Sequence, residues 1–294
     1  MNGIIVIDKP KEYTSHDIVA IVRGILNERH LGHTGTLDPN ATGVLPICIG
    51  SATKLIEYMD DAKKVYECTC KLGISTDTQD IWGQIIKEQE SDITEEKLIS
   101  VIPEFIGDIE QVPSKYSAIR INGRRLYSYA HSGEEIDIPA RKVTVYSLDL
   151  LGFDYENQEF NFRVCCSRGT YVRSICNDIG EKLNVGACLK ELRRVSCSGY
   201  SIDEAVDFEE LRKMNPEDAL GLIRPMESAV SFMDRIDISE DELKDFSDGK
   251  HLKHKQGDIA LNKDICVFCN DKLVGIALFD NPNRVRPRKV FARQ

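Results

Sequence analysis

The stretch Gly32-His33-Thr34-Gly35-Thr36-Leu37-Asp38-Pro39-Asn40-Ala41-Thr42-Gly43 decides how the rest of the chain is read. Its three glycines permit a tight backbone path and a close approach by a ligand. Pro39 restricts Asp38 to extended geometry and so fixes the direction of its carboxylate. Three threonine hydroxyls and His33 crowd around that single acid. A loop of this kind can present a carboxylate to a substrate. It also suits an Asx-type turn in which Asp38 bonds only its own backbone, and spacing alone does not choose between the two.

Outward from the loop, residues 3–8 read as a short buried strand that ends at Lys9-Pro10. Ser15 is placed to cap a helix running to Leu26, with Ile18, Val22 and Ile25 on one face. Residues 52–59 look helical, and residues 65–72 alternate as a strand does. Residues 94–105 form an amphipathic helical pattern, capped by Asp92 or Thr94. Strands are expected at 142–151 and 159–166, and helices at 171–183 and 187–193. There is no regular strand–helix alternation, no glycine-rich dinucleotide turn and no phosphate-binding loop. The order predicts an α+β fold. A boundary is expected near 225–235, dividing the chain into residues 1–230 and a small β-rich unit, 231–294, with strand-like runs at 258–261, 266–269 and 272–279.

A chain of 294 residues can bury a sizeable core. No run of eighteen apolar residues occurs, so no membrane span is expected. MNGIIVIDKP lacks the basic, apolar and small-residue regions of a secretory signal, which predicts a cytoplasmic protein. Ten cysteines at irregular spacings, several inside apolar runs, point to reduced, buried thiols. Cys266 and Cys269 form a lone CxxC with no second pair at zinc-site spacing, so no metal is expected. The net charge of −10 speaks against nucleic acid. Its distribution softens that objection, because residues 201–248 hold fifteen acids against five bases. Residues 114–130 carry Lys115, Arg120, Arg124 and Arg125 with no acid, interleaved with Tyr116 and Tyr127. Residues 281–294 carry five bases and no acid. These stretches either face a phosphate backbone or are ordinary solvated faces.

GHTGTLDPNATGVLP resembles the signature of the TruB family of tRNA pseudouridine synthases, which act on the uridine at standard tRNA position 55 in the T-loop. The motif does not stand alone. DKPKEYTSHD, LGISTDTQDIWG, VPSKYSAIRINGRRLYSYAHSGEEIDIPARKV, SRGTYVRSICNDIG and LKELRRVSCSG are similar to the family's other blocks, in the same order, from about residue 2 to 206. One local departure is Ser114 after Pro113, where the family often has a second proline. The resemblance implies the pseudouridine synthase fold, a mixed, largely antiparallel sheet flanked by helices. It also implies a PUA-like C-terminal RNA-binding domain. It makes Asp38 the nucleophile and Arg173 its ion-pair partner. By the same resemblance Tyr66 is expected to stack on the target base and take the C5 proton. The resemblance further implies that Tyr171 lines the pocket, that Leu189 walls the uracil, and that His33 fills space in the opened RNA loop. Lys9, Arg120, Arg124 and Arg125 are expected to contact phosphates.

The chemistry implied is internally consistent. Breaking N1–C1′ and joining C5 to C1′ changes no oxidation state and needs no external group, so no cofactor is expected. A stacked uridine must be everted before its ring can be held. An adjacent guanidinium favours the charged carboxylate and can grip it through two parallel hydrogen bonds. Whether Asp38 attacks C1′, adds to the base or removes a sugar proton stays open. The expected partner is the T-loop and T-stem of tRNA, with the chain a monomer and no obligate protein partner. Two alternatives stand beside this one: a guide-RNA-dependent enzyme of ribosomal RNA, and a catalytically silent RNA-binding module.

Overall fold

The computed structural model describes residues 1–59, 63–117, 119–121, 123–132, 134 and 136–291. In chain order the elements that build the main body are β1 (Gly3–Lys9), α1 (Ser15–Leu26), β2 (Thr42–Ile49), β3 (Lys64–Leu72), β4 (Gly107–Gln111), β5 (Arg141–Asp154), β6 (Glu159–Cys166), α2 (Val172–Lys182), β7 (Ala187–Cys197) and β8 (Val206–Asp207). The strands lie in the order β8-β1-β2-β7-β3-β6-β5-β4. Short strands Leu31–His33 and Tyr200–Ser201 attach to β2 and β7. The β1–β8 and β2–β7 pairs are parallel, and the remaining pairs are antiparallel. This is the mixed, helix-flanked sheet of the expected α+β class.

Sequence alternation explains the central strand. Lys64, Tyr66, Cys68, Cys70 and Leu72 of β3 share one buried face. Val172, Ile175, Cys176 and Ile179 of α2 pack over it, with Phe160 and Phe162 from β6 in the same cluster. Burying such side chains stabilises by about 1.5–3 kcal/mol each. On the β1–β2 half, Ile18, Val19, Val22 and Leu26 of α1 cover Ile5, Ile7, Leu45 and Ile47. The cap of α1 is Thr14 rather than Ser15. Thr14 and Asp17 form a reciprocal capping box, while the buried Ser15 hydroxyl is used elsewhere.

Residues 187–193, expected as a helix, are instead the N-terminal part of β7. Leu189 stands opposite Cys70 and Leu192 opposite Cys68, with a register shift between Leu189 and Glu191. The bulge inserts one residue, so two inward leucines fall three apart and mimic the helical period. The segment also pairs along its length with β3, and through Arg193 with Thr42 of β2, and that pairing overrides local propensity. Smaller differences follow the same logic. Residues 50–59 form a 3-10 turn, Gly50–Leu55, running into Ile56–Met59. The helix from Thr94 ends at Val101 and tightens into a 3-10 turn at Pro103. Residues 258–261 form no strand.

The C-terminal part holds β9 (Arg235–Asp237), β10 (Leu252–Lys253), β11 (Asp264–Cys269), β12 (Lys272–Asn281) and β13 (Arg284–Val290), ordered β9-β11-β12-β13-β10. Ile236, Phe246, Ile265, Phe279 and Val285 give it a core of its own. A second cluster ties it to the main body, with Cys266, Phe268 and Ile276 packing with Ile4, Val6 and Cys48. Cys266 belongs to that shared cluster and Cys269 to the small core, so this CxxC does not converge on one site. All ten cysteines are free thiols. Among the described residues, no helix is long and apolar enough to cross a membrane.

Candidate active site

The Asp38 loop is held from both sides. The Ser15 hydroxyl accepts the Leu37 N–H at 2.9 Å. The Pro39 carbonyl accepts the Glu12 N–H and the Lys9 ammonium, each at 3.0 Å. Between these anchors the Asp38 side chain stands 44% exposed, with its Oδ2 3.1 Å from Arg173 Nε. Among the described residues, no backbone N–H of the following turn donates to that carboxylate. The Asx-turn reading therefore fails, and the turn closes instead through the Ala41 N–H on the Asp38 carbonyl.

Arg173 lies in the first turn of α2 and is only 6% exposed. It does not grip Asp38 through two parallel hydrogen bonds. Its Nε faces Asp38, while Nη1 turns to the Thr78 carbonyl at 3.1 Å and to Asp80 Oδ2 at 3.4 Å. One buried guanidinium thus serves two carboxylates, and its plane is fixed by both. Asp80 also accepts the Thr78 hydroxyl at 2.7 Å and the Trp82 N–H at 3.2 Å. Asp80 is a site residue that the individual reading of side chains missed. Its signal was present in the TDTQD segment, whose second aspartate reaches Arg173. Gly83 closes that segment, and a Cβ there would stand 2.2 Å from the Thr78 hydroxyl oxygen.

Tyr66, from β3, is buried beside Arg194 of β7, its cross-strand neighbour. Burial pushes the Tyr66 phenol well above its ordinary range, and the Arg194 charge opposes that shift. The phenol is therefore neutral at rest. Arg194 is also fully buried, with Nε donating to the Val44 carbonyl at 2.7 Å and Nη2 to the Gly35 carbonyl at 3.1 Å. It joins the two shoulders of the Asp38 loop. Gly43 has no room for a side chain, since a Cβ would stand 2.1 Å from the Arg194 carbonyl. Arg194 was not singled out from the sequence, because its burial depends on β7 being a strand.

The cavities around this group share Asp38 and Arg173 in their walls. One of about 380 Å³ is lined also by Thr36, Lys64, Tyr66, Tyr116 and Tyr171. Another of about 210 Å³ is lined by Asp80, Trp82, Tyr116, Leu189 and Leu192. The structure thus brings Asp38, Tyr66, Tyr171, Arg173 and Leu189 to one place, with Leu189 in the second chamber. Tyr171 is positioned by Gln111, which accepts its N–H at 3.0 Å and donates to its carbonyl at 3.2 Å. Tyr116 donates its hydroxyl to Asp77 at 2.8 Å.

Other expected residues lie differently. Lys9 is fully buried, and its ammonium donates to the carbonyls of Pro10, Tyr13 and Pro39 at 2.7–3.0 Å. It has no donor left for an RNA phosphate, and that expectation is corrected. Burial lowers its pKa to about 8, with the Asp38 charge opposing. His33 is outside the walls of the two chambers. Its Nδ1 accepts the Gly35 N–H at 3.3 Å, and its ring meets His16 edge-on at 5.2 Å. Burial, then His16 and Arg194, pull it down to about 4, so the imidazole is neutral at neutral pH. Arg124 is half exposed and occupied locally, bonding Glu134 and the Ser128 carbonyl, both at 2.8 Å. Arg120 and Arg125 pair through their backbones across a short ladder, and their side chains lie outside the described part of the structure.

A mixed sheet that places a buried tyrosine, a cavity and an arginine-held aspartate at its centre defines the pseudouridine synthase class of RNA-modifying isomerases. The chain belongs to the TruB family. The family model for the TruB family pseudouridylate synthase N-terminal domain matches residues 23–172, and the tRNA pseudouridylate synthase B C-terminal domain model matches 173–231. The chain is 40% identical over 279 residues to tRNA pseudouridine synthase B of Clostridium tetani, covering 94% of this chain and 95% of the relative. It is 38% identical to the Streptococcus pneumoniae protein of the same name, over 99% of this chain and 100% of the relative. The Lactobacillus acidophilus counterpart is 46% identical, over 87% and 86%. Among solved structures, a chain of a Cbf5-Nop10-Gar1 complex superposes with a TM-score of 0.76 at 26% identity, covering 98% of this chain and 84% of that one. A chain of an H/ACA RNP bound to a substrate RNA containing 2'-deoxyuridine gives a TM-score of 0.75 at the same identity and coverage.

Proposed function

We propose that this chain isomerises the uridine at standard position 55 in the T-loop of tRNA to pseudouridine, and that Asp38 carries the chemistry. The observation that carries this reading is the Asp38–Arg173–Asp80 arrangement, with Asp38 and Arg173 in the walls of a cavity that Tyr66, Tyr116 and Tyr171 also line. The relatives named above are tRNA pseudouridine synthases, which supports tRNA as the substrate. The uridine is everted into the cavity, where Tyr66 stacks on the base and Leu189 supplies an apolar wall. N1–C1′ breaks, the uracil turns, and C5–C1′ forms. The C5 proton leaves to Tyr66 and then to solvent, and N1 ends protonated. Because the Tyr66 phenol is neutral at rest, it must pass its own proton on as it accepts one. The Arg194 charge beside it lowers the cost of any phenolate. His33 fills the space vacated in the RNA loop, Tyr171 lines the pocket, and Arg120, Arg124 and Arg125 meet phosphates. The reaction takes no cofactor. Residues 1–230 act as the catalytic domain and 231–294 as a PUA-like RNA-binding domain of a cytoplasmic monomer that needs no protein partner.

The test is tritium release from unmodified tRNA transcript labelled at uridine C5. Wild type releases tritium without guide RNA, metal or cofactor. Asp38→Asn loses on the order of a thousandfold or more of that rate while still binding the transcript. Release by Asp38→Asn at the wild-type rate sinks the assignment.

A further inference from the structure

Trp82 is the sole tryptophan of the chain and stands 51% exposed at the wall of the smaller Asp38 chamber. An exposed indole is ordinary when it lies on open surface. This one opens onto the reaction site, together with Pro39, Leu189 and Leu192. Its backbone is also anchored. The Trp82 N–H donates to Asp80 Oδ1, whose partner oxygen Oδ2 faces Arg173, which in turn holds Asp38. The preceding Ile81 N–H is fixed on the Leu189 carbonyl at 2.8 Å. The tryptophan backbone therefore hangs from the same carboxylate that orients the catalytic pair.

Resting on the function proposed above, we infer that Trp82 is a stacking platform for an unpaired nucleobase next to the everted uridine. Eversion removes the stacking partner of the neighbouring bases, and an indole face at the rim replaces it. Every base has a π-face, so the platform holds the opened loop without reading its sequence. Preorganisation matters here, since a backbone already anchored by Asp80 leaves only the two side-chain torsions of Trp82 to be ordered when a base settles on the ring. Continuity with the reaction chamber, rather than with a remote surface, favours a nucleobase over a protein partner.

The lone indole reports on itself. In Asp38→Asn protein titrated with an unmodified T-stem-loop RNA, tryptophan fluorescence is expected to be quenched along the same curve as filter binding. Trp82→Ala should raise KM and Kd about tenfold with kcat within about a factor of two, and Trp82→Phe should recover most of the loss. With an RNA made abasic on both sides of the target, wild type and Trp82→Ala should bind alike. Equal affinity of wild type and Trp82→Ala for the intact RNA, or unchanged fluorescence while filter binding shows a complex, overturns the platform. So does a fluorescence change that follows protein concentration without RNA, which marks self-association. Those failures leave wild-type tritium release intact, whereas absent release defeats the activity itself.

Discussion

Lys9, Arg173 and Arg194 lie under the Asp38 loop with almost no exposed surface, whereas Arg124 and Arg284 stand half exposed on the outside. The two groups differ in how far their partners are enclosed. Each of these three buried cations donates to backbone carbonyls: Lys9 to three, Arg194 to two, and Arg173 to that of Thr78 beside its two carboxylates, Asp38 and Asp80. The surface cations sit against carboxylates, Arg124 against Glu134 and Arg284 against Asp280. A loop that excludes water leaves carbonyls that need donors, and a fixed cation answers them. An exposed ion pair is worth about 0–1 kcal/mol, so a phosphate can take the place of its acid. Buried charge therefore shapes the catalytic loop, and surface charge remains exchangeable.

The largest break in that comparison comes from Arg173→Met. Asp38 and Asp80 are left near each other without the cation between them. Turnover of C5-tritiated tRNA should fall roughly 100- to 1000-fold, the cost of losing one preorganised donor, with KM little altered. A variant that keeps kcat and loses only affinity would place Arg173 with the surface group.

Lys9→Met is expected to act on the fold instead. Three carbonyls lose their common donor, and removal of the desolvated charge offsets part of that loss. Stability should drop by about 2 kcal/mol in urea titrations. The slope of log Kd against log salt should not change, because Lys9 meets no phosphate. Unchanged stability with a slope shallower by about one would return Lys9 to the RNA surface.

How far these roles could be read from the chain depends on where the deciding contact comes from. The α1 face, the β3 alternation and the Asp38 turn are written in consecutive residues, and they were legible. The β7 strand was not, because a bulge at Lys190 spaces Leu189 and Leu192 as a helix would. The Asp80–Arg173 contact joins residues 93 positions apart, and no local pattern announces it. Lys9 beside a proline turn looks like a surface lysine. Only the convergence of Pro10, Tyr13 and Pro39 on its ammonium shows otherwise. The basic run near the C-terminus likewise has partners that the run itself does not show. Arg284, Arg288 and Lys289 face Asp280, Asp264 and Glu57, acids that lie outside the run itself.

The smallest effect expected is the most diagnostic of the surface group. Arg124 bonds Glu134, the Ser128 carbonyl and the Ser132 hydroxyl, and its guanidinium lies 4.5 Å over the Tyr129 ring. All these partners lie within ten residues of Arg124, in the short helix Leu126–Ser132 and just after it, so Arg124→Ala should change stability by less than about 1 kcal/mol. If a phosphate displaces Glu134 on binding, the salt slope of tRNA affinity should become shallower by about one. Glu134→Gln supplies the converse, because freeing Arg124 from its acid should tighten binding slightly at low salt. If both variants leave affinity and slope untouched across a salt series, Arg124 serves only its own hairpin. Exchangeable surface charge would then have to be sought elsewhere on the RNA-facing side.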